Sequence, residues 1–346
     1  MGETVSADHI LETRGVSAQF DAHVIACAFD KNGVAGFGLG DGSVRLNARE
    51  TPLTWINAET HDGGLLCLAA DPSGSGFVSG GDDGALMRTA ADGATSQIAS
   101  FGSKWVEQVA SFADAKTQLI AVGVGKRLVV MNGKGETLKS VEHPSTVTGI
   151  AFDAKGKRVA ASHYNGASLW FVASKTDNPR RLEWKGSHTG IAFNPEGDHV
   201  VTSMQENSLH GWRLTDGQHM RMSGYPSKTN AMSFTKNGKW LASSGAESIV
   251  LWPFFGGGPM GKSPTELAGG DDVLCSFLAS HPLQDAVAAG FSDGLMVLAD
   301  INNARILPIC GPGRGEVTAV AWNASGTHLA FGTETGFCAV VDFSKR

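Results

Sequence analysis

The sequence predicts an all-β fold, a closed β-propeller of eight four-stranded antiparallel blades, on three observations: a period of 41–44 residues, strand-length apolar runs, and Gly turns at fixed places in each period. The first run of each period begins near Val24, Leu65, Val106, Val147, Thr189, Asn230, Val273 and Val317, at successive spacings of 41, 41, 41, 42, 41, 43 and 44. A unit this short cannot bury both faces of its own sheet, so the units must stack on one another.

The fourth period shows the elements in order. Val147–Phe152 is an apolar strand, Asp153-Ala-Lys-Gly156 a turn, and Lys157–Ser162 a second strand. His163-Tyr-Asn-Gly166 is a second turn, followed by the strand Ala167–Val172. The first turn recurs as Asp30–Gly33, Asp71–Gly74, Asn194–Gly197, Thr235–Gly238 and Asn323–Gly326. Asp or Asn closes such a turn through its own side chain, and Gly takes the positive φ. The second turn recurs as Asp41-Gly42, Asp83-Gly84 and Asp293-Gly294. The runs are nearly continuously apolar, as expected of strands covered on both faces, and no segment carries a capped helical period. The third period is the least regular, and Phe254–Leu267 reads as a Pro/Gly-rich loop. The last period ends on its third strand, so the run Val16–Phe20 is expected to supply the fourth and leave no open edge. A seven-bladed ring with one stray repeat is the alternative.

The 346 residues form one domain, 42% hydrophobic and 18% charged, with a net charge of −6 and no single-sign tail. That balance argues against binding nucleic acid through its phosphates. Nothing approaches 18 uninterrupted apolar residues, and no amphipathic helix points to a membrane surface. The first residues lack the basic and apolar regions of a secretory signal. Four of the five cysteines, Cys27, Cys67, Cys275 and Cys338, lie in strand-like runs, and Cys310 completes an odd set without a Cys-x-x-Cys pair. They read as reduced core residues, and a cytoplasmic location is expected if the chain is complete.

The period and the turns resemble the WD40-repeat family over nearly the whole chain. Trp170, Trp212 and Trp252 stand near the family's Trp position, although Phe171, Arg213 and Pro253 follow them where the family has Asp. His61 and His143 stand nine residues before Ala70 and Phe152, and Asp83 and Asn165 follow 22 residues later. The resemblance implies a structural role for these four: an imidazole bonded to a turn carboxylate, kept in the second repeat and, with Asn, in the fourth.

Enzyme signatures are missing. No nucleophile elbow, zinc-protease, P-loop or dinucleotide motif stands in a suitable context, and Gly36-Phe-Gly38-Leu-Gly40 enters a strand rather than a helix. The pairs Asp82-Asp83 and Asp271-Asp272 read as turn caps, the second with one member able to face the central channel. A metal site from His23, His163 and His188 is conceivable, but their repeats are not mutually adjacent. Catalytic residues, metal and cofactor are therefore expected to be none.

The resemblance implies that the narrow face docks peptides and proteins, where loops before the first strands meet turns before the third. Trp105, Tyr164, Met204 and Phe291 are the expected anchors, with Leu39 and His163 beside them. Lys228, Asp272 and Glu316 form a charged rim, with Lys126, Arg127 and Arg314 nearby. The expected function is a monomeric, non-catalytic scaffold for a protein or peptide. The alternatives are a hydrolase-like propeller enzyme and a carrier of a small ligand or metal in the central channel.

Overall fold

The computed structural model describes residues 6–48, 50–270 and 272–344. Asp271, one of the paired carboxylates, lies outside the described residues. Among the described residues, thirty strands and one short helix form seven sheets, six of four strands and one of six. The chain runs through six of them as an antiparallel meander, as in Val24–Phe29, Ala35–Leu39, Ser43–Asn47 and Trp55–Glu59, and the seventh takes one strand from the N-terminal segment.

Turn chemistry fixes the registers. Asp30 Oδ1 accepts the N–H groups of Asn32 (2.9 Å) and Val34 (2.8 Å), and Gly33 takes φ 85° between them. At the opposite end of a blade, Asp83 Oδ1 accepts from Ala85 N–H (3.0 Å), and Gly84 takes φ 75°.

Seven sheets replace the eight separate ones expected from the spacing, and the physical reason lies in repeats four and five. The strand Arg158–Phe171 runs straight through the turn position, bulging between Tyr164 and Gly166, and Arg180–Phe193 continues from one repeat into the next without a loop. Its first half pairs back to Arg158–Phe171 and its second half pairs forward to His199–Met204, so both repeats share one six-stranded sheet.

The innermost strands touch in order. Val24–Phe29 meets Leu65–Ala70, then Gln108–Ala113, Gly149–Phe152, Arg180–Phe193, Met232–Phe234, Cys275–Ser280 and Val317–Trp322, which meets Val24–Phe29 again. The second strands, among them Ala35–Leu39, Phe77–Gly81, Ala286–Phe291 and His328–Thr333, are buried throughout. The core lies between neighbouring sheets: Val78 and Leu86 of one meet Val122 and Met131 of the next. Each such side chain contributes about 1.5–3 kcal/mol on leaving water.

The N-terminal segment joins the far end of the chain. Gly15–Gln19 pairs antiparallel with Phe337–Asp342, from Gly15 opposite Val341 to Gln19 opposite Phe337. Ahead of it the short helix His9–Arg14 buries Leu11 against Ile309, Cys310 and Phe337. Asp8 accepts from both Arg314 amino groups (3.1 and 3.0 Å) and from Gly311 N–H (2.6 Å). One local expectation is corrected: part of the loop at Phe254–Leu267 is a strand, Thr265–Leu267, too short to show a period. The third repeat forms a four-stranded sheet with a register shift between Val130 and Met131.

Candidate functional site

His61 is held at both ring nitrogens. Its Nδ1 meets both Asp83 carboxylate oxygens at 3.1 Å, and its Nε2 meets Ser79 Oγ at 2.8 Å. Burial pushes the Asp83 carboxyl up, but Ala85 N–H and the imidazole outweigh it and hold the group below its usual range. The network ties the loop before one first strand to the turn of its own blade, and it ends in a buried hydroxyl rather than a reactive one.

The counterpart in repeat four is not made. Ala161 stands where Ser79 would, and Asn165 Oδ1 accepts from Gly186 N–H (3.3 Å) instead. The fused strands draw Asn165, at φ 68°, toward the next repeat. His143 is left buried with both ring nitrogens unpartnered, its ring edge-on to Trp170 (4.9 Å) and His163 (5.3 Å). Burial, and then the neighbouring His163, push its pKa down to about 4. The pairing of His143 with Asn165 is therefore corrected.

The expected anchors divide sharply. Leu39 and Phe291 are 0% and 2% exposed and belong to the cores between sheets, and Met204 is 4% exposed. These three are corrected: they end second strands that neighbouring sheets cover on both faces, so they present nothing to a partner. His163 is also buried, donating from Nδ1 to the Tyr164 carbonyl (2.8 Å) and accepting at Nε2 from Ser168 (3.0 Å). Trp105 and Tyr164 remain, 55% and 58% exposed.

Both line cavities. The larger, about 790 Å³, runs between the outer strands of repeats three and four. Glu142, Pro144 and Ser145 form one wall, Arg181, Glu183 and Lys185 the other, with His163, Ser168 and Trp170 between and Tyr164 at the side. The smaller, about 470 Å³, holds Trp105 with Lys104, Lys126, Arg127 and Glu107, and Glu142 belongs to both. Lys228 and Asp272 are exposed and Glu316 half-buried, but none of the three lines either cavity. Reading the sequence missed Arg181, Glu183 and Lys185; their alternation with Leu182 and Trp184 was the available signal.

A third cavity, about 310 Å³, lies among the inner strands and is lined by Thr148, Gly149, Thr189, Gly190, Ser203 and Asn230 with apolar neighbours and Gln108. No titratable side chain lines it, so it offers no acid–base pair. All five cysteines are free, and burial pushes Cys67, Cys275 and Cys310 up to about 12, far from a nucleophilic thiolate at neutral pH. Among the described residues no group of three or more His, Cys, Asp or Glu converges to hold a metal, so His23, His163 and His188 do not form the conceivable site.

The family model for the WD domain, G-beta repeat, matches residues 55–87, the stretch that contains His61, Ser79 and Asp83. No curated protein matches the chain. Among solved structures, the computationally designed protein Ika8 superposes with a TM-score of 0.75 at 20% identity, over 94% of this chain and 97% of that one, a likeness of fold alone. The matched repeat carries its histidine–aspartate network, and the antiparallel four-stranded blades around it support a WD40-repeat β-propeller.

Proposed function

We propose that this propeller is a non-catalytic scaffold that binds a protein or peptide across repeats three and four, between Trp105 and Tyr164. One observation carries the reading: two large aromatic side chains stand more than half exposed beside two cavities that share Glu142. Propellers of this family generally serve as interaction platforms, and exposed aromatics within a charged rim are what a docking partner covers. The lining of the inner cavity by hydroxyls, amides and apolar groups favours this reading over a hydrolase or metal carrier with a channel site.

The platform is rigid because its units lean on one another around the whole ring. We infer that the six-stranded sheet serves as two blades, giving eight units, supported by eight inner-strand segments that touch in sequence.

The test is affinity capture with the intact chain, then with Trp105→Ala and Tyr164→Ala. Both side chains are exposed, so the variants should fold with unchanged melting temperatures. Loss of a stoichiometric partner, about 10-fold or more in affinity for each variant, is the expected result. A partner retained undiminished by both variants would move the docking surface elsewhere.

A further inference from the structure

The strand Arg180–Phe193 changes partners midway. Ser187 still pairs back with Tyr164, and from His188 onward the strand pairs with His199–Met204, while Arg180–Glu183 pairs on one side only, with Gly166–Leu169. The Leu182 carbonyl lies against Gly166, on the paired side. Backbone groups alternate along a strand, so the N–H and C=O of Arg181 and Glu183 face the open side. A sheet edge of this kind can accept one more strand.

The side chains along the edge follow a pattern. Arg181, Glu183 and Lys185 share the face that lines the 790 Å³ cavity and are exposed, so the face reads positive, negative, positive at every second residue. None of the three makes an ion pair among the described residues. Leu182 and Trp184 also border the cavity, but they pack against Val200, Trp212 and Leu214 of the next repeat and hold the strand in place. Trp184 is stacked on His210 at 4.1 Å and its carbonyl accepts from His188 Nε2 (3.0 Å).

We propose that this edge receives an extended partner segment as an added strand, and that the segment carries acid, base and acid at alternate positions, Glu-X-Lys-X-Glu or its Asp/Arg equivalents. The acids stand opposite Arg181 and Lys185 and the base opposite Glu183, with backbone hydrogen bonds made to Arg181 and Glu183. Opposite charges directly across an antiparallel pair attract, and like charges repel. The pattern is the same read from either end, so it does not depend on the direction of the added strand. The added side chains enter the cavity between Glu142 and the edge strand, beside Tyr164. This inference rests on the reading of the chain as a peptide-binding scaffold, and adds where the segment lies and what it carries.

The test uses the full chain and two fluorescent peptides of equal length, one Glu-X-Lys-X-Glu and one Lys-X-Glu-X-Lys, with Thr and Val at the intervening positions. The first should bind about tenfold or more tightly than the second at low salt, because three facing pairs change sign between them. The triple variant Arg181→Glu, Glu183→Lys, Lys185→Glu, checked for an unchanged melting temperature, should reverse the preference. Binding of neither peptide, or a preference that the triple variant leaves unchanged, overturns the proposal. If it falls while Trp105→Ala still loses its partner, the scaffold reading survives without the added strand; if Trp105→Ala and Tyr164→Ala both keep the partner, the scaffold surface itself is misplaced.

Discussion

Deleting residues 1–22 is expected to lower the melting temperature by at least about 10 °C, or to leave the chain aggregated, because the segment holds the two ends of the fold together. The deletion removes Gly15–Gln19 and leaves Phe337–Asp342 as an open edge whose residues are almost all buried in the intact protein. It also strips Leu11 from its cluster, and it takes away Phe20, whose ring lies edge-on to Trp55 (5.5 Å) and beneath the Arg45 guanidinium (4.8 Å). Losing burial of Leu11, Val16 and Phe20 costs about 5 kcal/mol at the scale for apolar side chains, before the strand ladder is counted. The open edge is a template for pairing between molecules, so light scattering should rise with unfolding. An unchanged melting temperature would mean that the segment is an appendage.

Acid should destabilise the protein well above the pH at which carboxylates titrate. Burial, followed by a neighbouring imidazole, pushes His143 down to about 4 and His210 to about 3, from an ordinary value of 6.5. His163 and His188 are displaced in the same direction by burial. In the unfolded chain these rings take up protons near pH 6.5, whereas in the folded chain they resist until much lower. Their contribution is therefore complete above pH 6.5 and is lost as the pH falls toward the folded-state values. By pH 5 the loss is about 2 kcal/mol for each of His143 and His210. Melting temperatures measured from pH 7.5 to 4.5 should fall most steeply below 6.5. His143→Phe keeps a flat ring against Trp170 and cannot titrate, so it should flatten the profile. An identical slope in that variant would remove His143 from the account.

The fold was legible because each repeat writes its turns in the same chemistry. Asp30, Asp71, Asp153, Asn194 and Asn323 all close the first turn through their side chains, and the 41–44-residue spacing counts the inner strands. Sheet count was less legible. Whether Asn165-Gly166 makes a tight turn or a bulge depends on pairing with a strand about twenty residues on, and local sequence does not carry that. The same change decided His143. Its spacing to Asn165 matches that of His61 to Asp83, but Ala161 lacks the hydroxyl and Asn165 is drawn to Gly186.

The candidate surface divided along one physical line. Apolar residues at the ends of second strands, Leu39, Met204 and Phe291, looked available because a turn follows, yet each belongs to a strand covered on both sides. Trp105 lies in a loop and Tyr164 on the bulge, where no neighbouring sheet covers them. The charges on the edge strand were not legible from turn chemistry, because their meaning comes from a strand that changes partners after Ser187.

Hydrogen exchange of the complex with its captured partner tests the central claim most directly. The account predicts slowed exchange at residues 104–107, 124–127, 142–145, 163–165 and 181–185, the segments that line the two cavities sharing Glu142, with the rest of the chain unchanged. Protection confined to the opposite rim, around the turns at 30–33, 194–197 and 323–326, would contradict it.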